Sequence, residues 1–207
     1  MILSPIESKI FFKEEYPLLE LVRENLDGDF SVQPPYPFIL RSYQPGDEPY
    51  WVEIMKDAFG DFWNEKSFQT FIKSHRSFSP ERLIFLCVQK VPVGSVCAFS
   101  WPGLDLKTGF IFMLALKREF RGKGLGRYLV LACLDYFAKN HYQRAMLQTE
   151  SFRLSAIRLY LKMGFKPVLV TSGQIKVWEE IAKKLALNKL NPQTLPRLKT
   201  KEFITVS

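Results

Sequence analysis

The chain has 207 residues, of which 47% are hydrophobic and 14% aromatic, so it can form one sizeable core and is not a disordered protein. Its formal net charge of +8 favours an anionic partner: a nucleic acid, an anionic surface or a phosphorylated cofactor. The three cysteines have no CxxC spacing, which argues against a disulfide framework and a zinc site.

The N-terminal residues are predicted to form an arm that precedes the folded domain. They lack the basic, apolar and small-residue segments of a secretory signal, and the chain has no apolar stretch of about 18 residues that would span a bilayer. We therefore expect a cytoplasmic protein without a membrane partner. The predicted divisions are an arm over residues 1–33, a domain over residues 34–174, and a helix with a basic tail over residues 175–207.

The first half of the domain reads as a strand, two helices and three more strands. Phe38 to Tyr43 form the first predicted strand, and Asp47 is placed to cap the helix that follows. A second amphipathic helix is predicted after Asn64. An antiparallel meander then follows over Arg82 to Gln89, Val93 to Trp101 and Gly109 to Leu116.

The second half alternates between helices and strands. A glycine-rich turn leads into a helix, and the remaining elements are a strand, a helix, a short strand and a last amphipathic helix. Together the two halves predict a mixed α/β (α+β) fold with a mostly antiparallel central sheet flanked by helices. The predicted ranges are Leu125 to Asn140, Arg144 to Thr149, Leu154 to Met163, Lys166 to Thr171 and Val177 to Leu187.

The turn between the third meander strand and its helix carries the strongest chemical signal. Its three glycines let the backbone approach a ligand closely, and the N–H groups at the start of the helix suit a diphosphate. The dinucleotide pattern GxGxxG and the Gly-Lys-Ser/Thr of nucleotide triphosphatases are both absent, so NAD and ATP are poor candidates. The turn reads Arg121, Gly122, Lys123, Gly124, Leu125, Gly126 and Arg127.

Two sequence blocks resemble the GNAT superfamily of N-acetyltransferases. Leu114 to Gly126 looks like that family's strand and Arg/Gln-x-x-Gly-x-Gly/Ala coenzyme A loop. Ala156 to Phe165 looks like its downstream helix, which ends in Gly-Phe. The resemblance covers roughly residues 38–171 and implies an acyltransferase domain with a strand-loop-helix site for acetyl-CoA and no metal.

The resemblance also implies roles for single residues. The strand residues Leu114, Ala115 and Leu116 would bind the pantetheine arm through their main chain, and the turn from Arg121 to Arg127 would hold the pyrophosphate. Tyr160 matches the tyrosine that protonates the departing thiolate, since a phenol is protonated at neutral pH. Arg153 stands where many members have an asparagine that bonds to the pantetheine, so we expect a contact with a phosphate or a carboxylate to replace that hydrogen bond.

The general base is less constrained by the sequence. The strand from Gly109 to Leu116 carries no carboxylate, although many members of the family have their base there. Glu150 is the leading candidate because it ends a strand, where α/β sheets place ligands; its alternative role is a solvated or helix-capping residue. Asp105 is a weaker second candidate, and we expect His75 and His141 to be surface residues.

Two classes of function remain open from the sequence. The first is an enzyme that transfers acetyl from acetyl-CoA to a primary amine of a small molecule, peptide or protein by direct attack. The second is a non-catalytic module that binds acyl-CoA or associates with ribosomal RNA through the basic tail. The tail has no interleaved aromatic residues for stacking bases, so we expect no nucleic-acid partner.

Overall fold

The computed structural model describes residues 17–100 and 104–187. The chain divides into two compact units. Among the described residues, the larger unit comprises residues 26–100 and 106–145. The smaller unit comprises residues 17–25, 104–105 and 146–187.

The larger unit contains four antiparallel strands. They are adjacent in the order in which they occur in the chain, so each pairs with the next one, and the predicted meander is present. Aromatic and aliphatic residues fill these strands and bury nearly every position of the second and third, as expected for a sheet covered on both faces. The strands are β2 (Phe38–Ser42), β3 (Leu83–Val88), β4 (Val91–Ser100) and β5 (Thr108–Leu116).

Three helices belong to the larger unit. Helix α1 (Glu48–Phe59) has an apolar face that includes the fully buried Trp51. Helix α2 (Glu65–Phe68) starts at a capping box formed by Asn64 and Ser67 and continues as a π-helical turn to Lys73. Helix α3 (Gly126–Lys139) follows the glycine-rich turn. All three predicted helices are present.

The prediction that the Asp47 side chain caps helix α1 is wrong. It occupies the N-cap position of α1, but its side chain makes no capping hydrogen bond. Its carboxylate instead accepts two hydrogen bonds from Arg41, at 2.6 and 2.8 Å, and one from the Gln44 N–H at 2.7 Å. Burial raises the pKa of Asp47, but these bonds outweigh it and leave the pKa lowered. Because Arg41 offers a bidentate partner, the ion pair replaces the cap.

The smaller unit contains three strands in the order β6-β1-β7, with β1 antiparallel to β7. Strand β1 lies within the predicted N-terminal arm, where the sequence pattern indicated no strand. The arm and tail boundaries stay predictions, and residues 1–16 and the tail beyond residue 187 lie outside the described residues. The elements are β1 (Leu18–Arg23), β6 (Arg144–Glu150), α4 (Leu154–Lys162), β7 (Lys166–Val168) and α5 (Gln174–Lys184).

The predicted fold class, a mixed α/β fold with mostly antiparallel strands flanked by helices, is confirmed. In the part of the chain that the structure describes, no helix has the length and apolar character needed to cross a bilayer. A cytoplasmic location stays a prediction.

Candidate functional site

The turn between β5 and α3 forms an open backbone cradle. Gly122 and Gly124 have φ angles of +74° and +72°, a conformation that side chains rarely adopt. A Cβ atom built on either glycine would have no atom within 4 Å, so both backbones border open space. Leu125 is 3% exposed and anchors the end of the turn in the core. The predicted loop therefore combines a fixed end with accessible main chain.

The N-terminus of α3 adds hydrogen-bond donors to this cradle. The helix has 14 residues and starts at Gly126, and no described side chain caps it. The N–H groups of a first helical turn lack partners within the helix, and the helix dipole makes this end partly positive. Together these features suit an anionic group, as the sequence predicted.

The three basic residues of the turn have different surroundings. Arg121 donates from Nε to the Leu116 carbonyl and from Nη2 to the Asp57 carbonyl, both at 2.8 Å. Lys123 lies over the Phe120 ring at 5.7 Å, and the Arg127 guanidinium lies over the Tyr128 ring at 4.6 Å. All three residues are exposed and contribute positive charge to the cradle. Arg121 is hydrogen-bonded to main-chain carbonyls, and Arg127 donates to the Tyr128 hydroxyl.

Strand β5 contains a bulge before it reaches the turn. Ser95 pairs with Ala115 and Cys97 with Phe112, so two residues of β5 lie opposite one residue of β4. One of these two, Met113, has a φ of 53°. A bulge of this kind bends its strand and interrupts the ladder.

Some main-chain groups of β5 near the bulge point away from β4. The Lys117 N–H donates to the Val93 carbonyl of β4 at 2.9 Å. Because main-chain groups alternate along an antiparallel strand, those of Leu114 and Leu116 point to the opposite edge of β5, and those of Ala115 point to β4. The Leu116 carbonyl already accepts a hydrogen bond from Arg121 Nε, so the pairing of Leu114 and Leu116 with a pantetheine arm stays a prediction.

The smaller unit contains the other predicted site residues. Tyr160 lies on α4, is 6% exposed, and has its ring centroid 6.0 Å from that of Phe165. Glu150 is 5% exposed and accepts a hydrogen bond from Arg153 Nε at 2.6 Å. The predicted base and a predicted cofactor ligand therefore form an ion pair with each other. Asp105 is exposed.

A half-buried carboxylate on β1 was not predicted from the sequence. The Gln148 amide of β6 donates to the Glu20 carboxylate at 2.8 Å. Burial raises the pKa of Glu20, and this hydrogen bond offsets the rise only in part. The residue lies in the predicted arm, where the sequence Leu-Leu-Glu-Leu-Val-Arg lacks the strict alternation that would have indicated a strand.

His75 is half-buried, which corrects the expectation of a surface residue, whereas His141 is exposed as expected. The imidazole of His75 stacks on Phe99 with ring centroids 4.3 Å apart, and its Nδ1 lies 2.8 Å from the Ser77 hydroxyl. Burial, with the charges of Arg76 and Arg82, lowers the pKa of His75 to about 4. The ring is therefore neutral at pH 7.

A metal centre is not formed by the described side chains, since no three His, Cys, Asp or Glu residues among them are grouped closely enough to hold an ion. The expectation of a metal-free site stays a prediction.

Known proteins similar to this chain include acetyltransferases. The mycothiol acetyltransferase of Thermobispora bispora is 29% identical over 136 residues, which cover 61% of this chain and 45% of that protein. The chain spans about half the length of the relatives it matches. A crystal structure of a GCN5-related N-acetyltransferase from Sphaerobacter thermophilus has a TM-score of 0.61 at 21% identity, covering 79% of this chain and 54% of that one.

A further structural neighbour is the NatC complex bound to Gag peptide and CoA, with a TM-score of 0.52 at 20% identity; 61% of this chain and 82% of that chain are covered. At these identities the two neighbours show the fold. The sequence profile described as acetyltransferase (GNAT) family matches residues 49–165, more than half of the 207 residues, and includes the cradle and α4. The chain therefore belongs to the acetyltransferase (GNAT) family.

Proposed function

We propose that this chain is an N-acetyltransferase that transfers acetyl from acetyl-CoA to a primary amine by direct attack. The observation that carries the proposal is the open cradle at Gly122 and Gly124, at the N-terminus of α3 and within the part of the chain that matches the family. Family membership supports the reaction class, and the cradle supports the donor.

The donor site fits a diphosphate for three reasons. The backbone borders open space, the helix end supplies N–H donors, and Lys123 and Arg127 add positive charge. The pantetheine arm is expected to run along β5 on the side that faces away from β4, where the main chain of Leu114 and the N–H of Leu116 would pair with it. The structural neighbour NatC, which was solved bound to Gag peptide and CoA, supports this assignment.

The proposed chemistry needs a proton acceptor, a hydrogen-bond donor for the carbonyl oxygen and a proton donor. The amine attacks the thioester carbonyl, the C–S bond breaks, and Tyr160 gives its proton to the thiolate. Main-chain N–H groups next to the bulge of β5 are proposed to stabilise the charge on the carbonyl oxygen. Glu150 is proposed to take the amine proton through water, with Arg153 holding its carboxylate in place.

The acceptor group of the proposed reaction is a primary amine. The names of the similar proteins include a mycothiol acetyltransferase and a complex bound to a Gag peptide, which indicate small-molecule and peptide acceptors for those proteins. We propose a primary amine of a small molecule, peptide or protein for this chain.

Binding and turnover measurements test the proposal in two steps. Isothermal titration with CoA and acetyl-CoA should show binding, whereas NAD and ATP should bind much more weakly. Release of free CoA, followed with a thiol-reactive dye, should then identify an acceptor among polyamines, aminoglycosides, amino acids and peptide N-termini. Absence of CoA binding would refute the donor site, and binding without turnover on any amine would support a non-catalytic acyl-CoA-binding module instead.

A further inference from the structure

Asp57, in the last turn of α1, contacts the turn between β5 and α3 at two places. Its carboxylate accepts a hydrogen bond from the N–H of Arg118, the second residue after β5. The carboxylate oxygens also lie 3.6 Å from Arg118 Nε and 3.6 Å from Arg121 Nη2. One acidic residue therefore contacts both ends of the segment that precedes the first glycine of the cradle.

Arg121 extends these contacts to the main chain. Its Nη2 donates to the Asp57 carbonyl and its Nε to the Leu116 carbonyl, both at 2.8 Å. One guanidinium thus connects the end of α1 with the end of β5, and Asp57 partly neutralises its charge. In this arrangement two nitrogens of the Arg121 guanidinium donate to main-chain carbonyls at the two ends of the link, whereas Arg127 donates only to the hydroxyl of the neighbouring Tyr128 among the described contacts.

The glycines make such an attachment necessary. Glycine gains more conformational freedom on unfolding than any other residue, and neither Gly122 nor Gly124 has a neighbour within 4 Å of a built Cβ that would restrict it. The shape of the cradle must therefore be set at its ends. The buried Leu125 fixes one end, and the contacts of Asp57 fix the other.

We propose that Asp57 is a positioning residue for the donor site, acting through Arg118 and Arg121 to hold the cradle in the shape that receives a diphosphate. The inference rests on the proposed function, because it assumes that CoA is the ligand. A segment that is ordered before binding loses less conformational entropy when the ligand arrives, so affinity rises without any direct contact from Asp57. A second link nearby, Lys117 to Glu53 at 2.8 Å, is more exposed, with the glutamate side chain 59% accessible.

The test compares Asp57→Ala with a matched control on α3. Asp135 also forms an ion pair, to Lys139 at 2.7 Å, and its side chain is 24% exposed against 25% for Asp57. Asp135→Ala therefore removes a similar carboxylate away from the cradle. Two ligands are titrated with each protein: CoA by calorimetry, and pantetheine, which has no diphosphate, by ligand-observed NMR.

We expect Asp57→Ala to weaken CoA about tenfold, as for the loss of a charge-assisted hydrogen bond, and to leave pantetheine affinity unchanged. Asp57→Glu should recover part of the CoA affinity, and the Asp135→Ala control should bind both ligands like the wild type. If Asp57→Ala does not fold, the isosteric Asp57→Asn is measured in its place; it keeps an acceptor for the Arg118 N–H but loses the ion pairs.

Three results would overturn the inference. Unchanged CoA affinity in Asp57→Ala would show that the contacts do not set the cradle. An equal loss for CoA and pantetheine would indicate a general structural defect. Absence of CoA binding by the wild type would refute the proposed function and this inference with it, and it is the only one of these results that concerns the wild type.

Discussion

Replacing Gly124 with alanine separates the strain in the cradle from its role in binding. At a φ of +72°, an L-residue is expected to cost about 1–2 kcal/mol of stability. The added methyl group meets no protein atom within 4 Å, so it causes no clash in the free protein. For a chain of this size, about 1 kcal/mol lowers the melting temperature by about 2–4 °C. Gly124→Ala should therefore remain folded and lose several degrees.

The effect on binding should exceed the effect on folding. The methyl group occupies space in which a diphosphate approaches the backbone, so at least one charge-assisted hydrogen bond is lost, worth about 1.5–3 kcal/mol. This corresponds to a rise in the CoA dissociation constant of about 10- to 150-fold. Calorimetric titration with CoA and thermal unfolding of the free protein measure the two effects separately.

Gly46 provides the matched control. It has a φ of +99°, and a Cβ built on it also has no neighbour within 4 Å, but it lies in the turn between β2 and α1. Gly46→Ala should lower the melting temperature to a similar extent and leave CoA affinity unchanged. The reasoning is refuted if Gly124→Ala binds CoA like the wild type, or if both variants lose affinity equally.

Three further predictions concern the ligand, Tyr160 and His75. Acetyl-CoA at a hundredfold excess over its dissociation constant should stabilise the protein by about 2.7 kcal/mol, and an unchanged melting temperature in thermal-shift assays contradicts the donor assignment. Tyr160→Phe should keep acetyl-CoA affinity and lower turnover by about 10²–10⁴-fold; unchanged turnover with rate-limiting chemistry removes the residue from the mechanism. The lowered pKa of His75 means that the unfolded chain binds a proton more readily, so stability should fall as pH drops from about 6.5 to about 4. A pKa lowered from about 6.5 to about 4 corresponds to about 3 kcal/mol of stability, and we expect about 1–2 kcal/mol because solvent screens the charge of a half-buried ring. Thermal unfolding against pH should show a smaller decline for His75→Phe, whereas the exposed His141→Gln should follow the wild type.

Local patterns were sufficient for much of the fold. The meander, the amphipathic helices and the turn before α3 were predictable because strand alternation, helical periodicity and glycine positions act over a few residues. The close backbone approach at the turn was predictable for the same reason, since glycines before a helix allow main-chain conformations that other residues rarely adopt. These features were determined by the sequence itself.

Contacts between residues far apart in sequence were decided only by the tertiary structure. Strand β1 pairs with β7, about 145 residues later, and Asp57 reaches Arg121 across 64 residues; no periodicity encodes such partners. The burial of His75 was also decided by the tertiary structure, because the His75 ring stacks on Phe99, which lies in β4. Even the ion pair of Glu150 with Arg153, only three residues apart, was not evident from the sequence, since a side chain selects its partner from all groups that packing brings within reach.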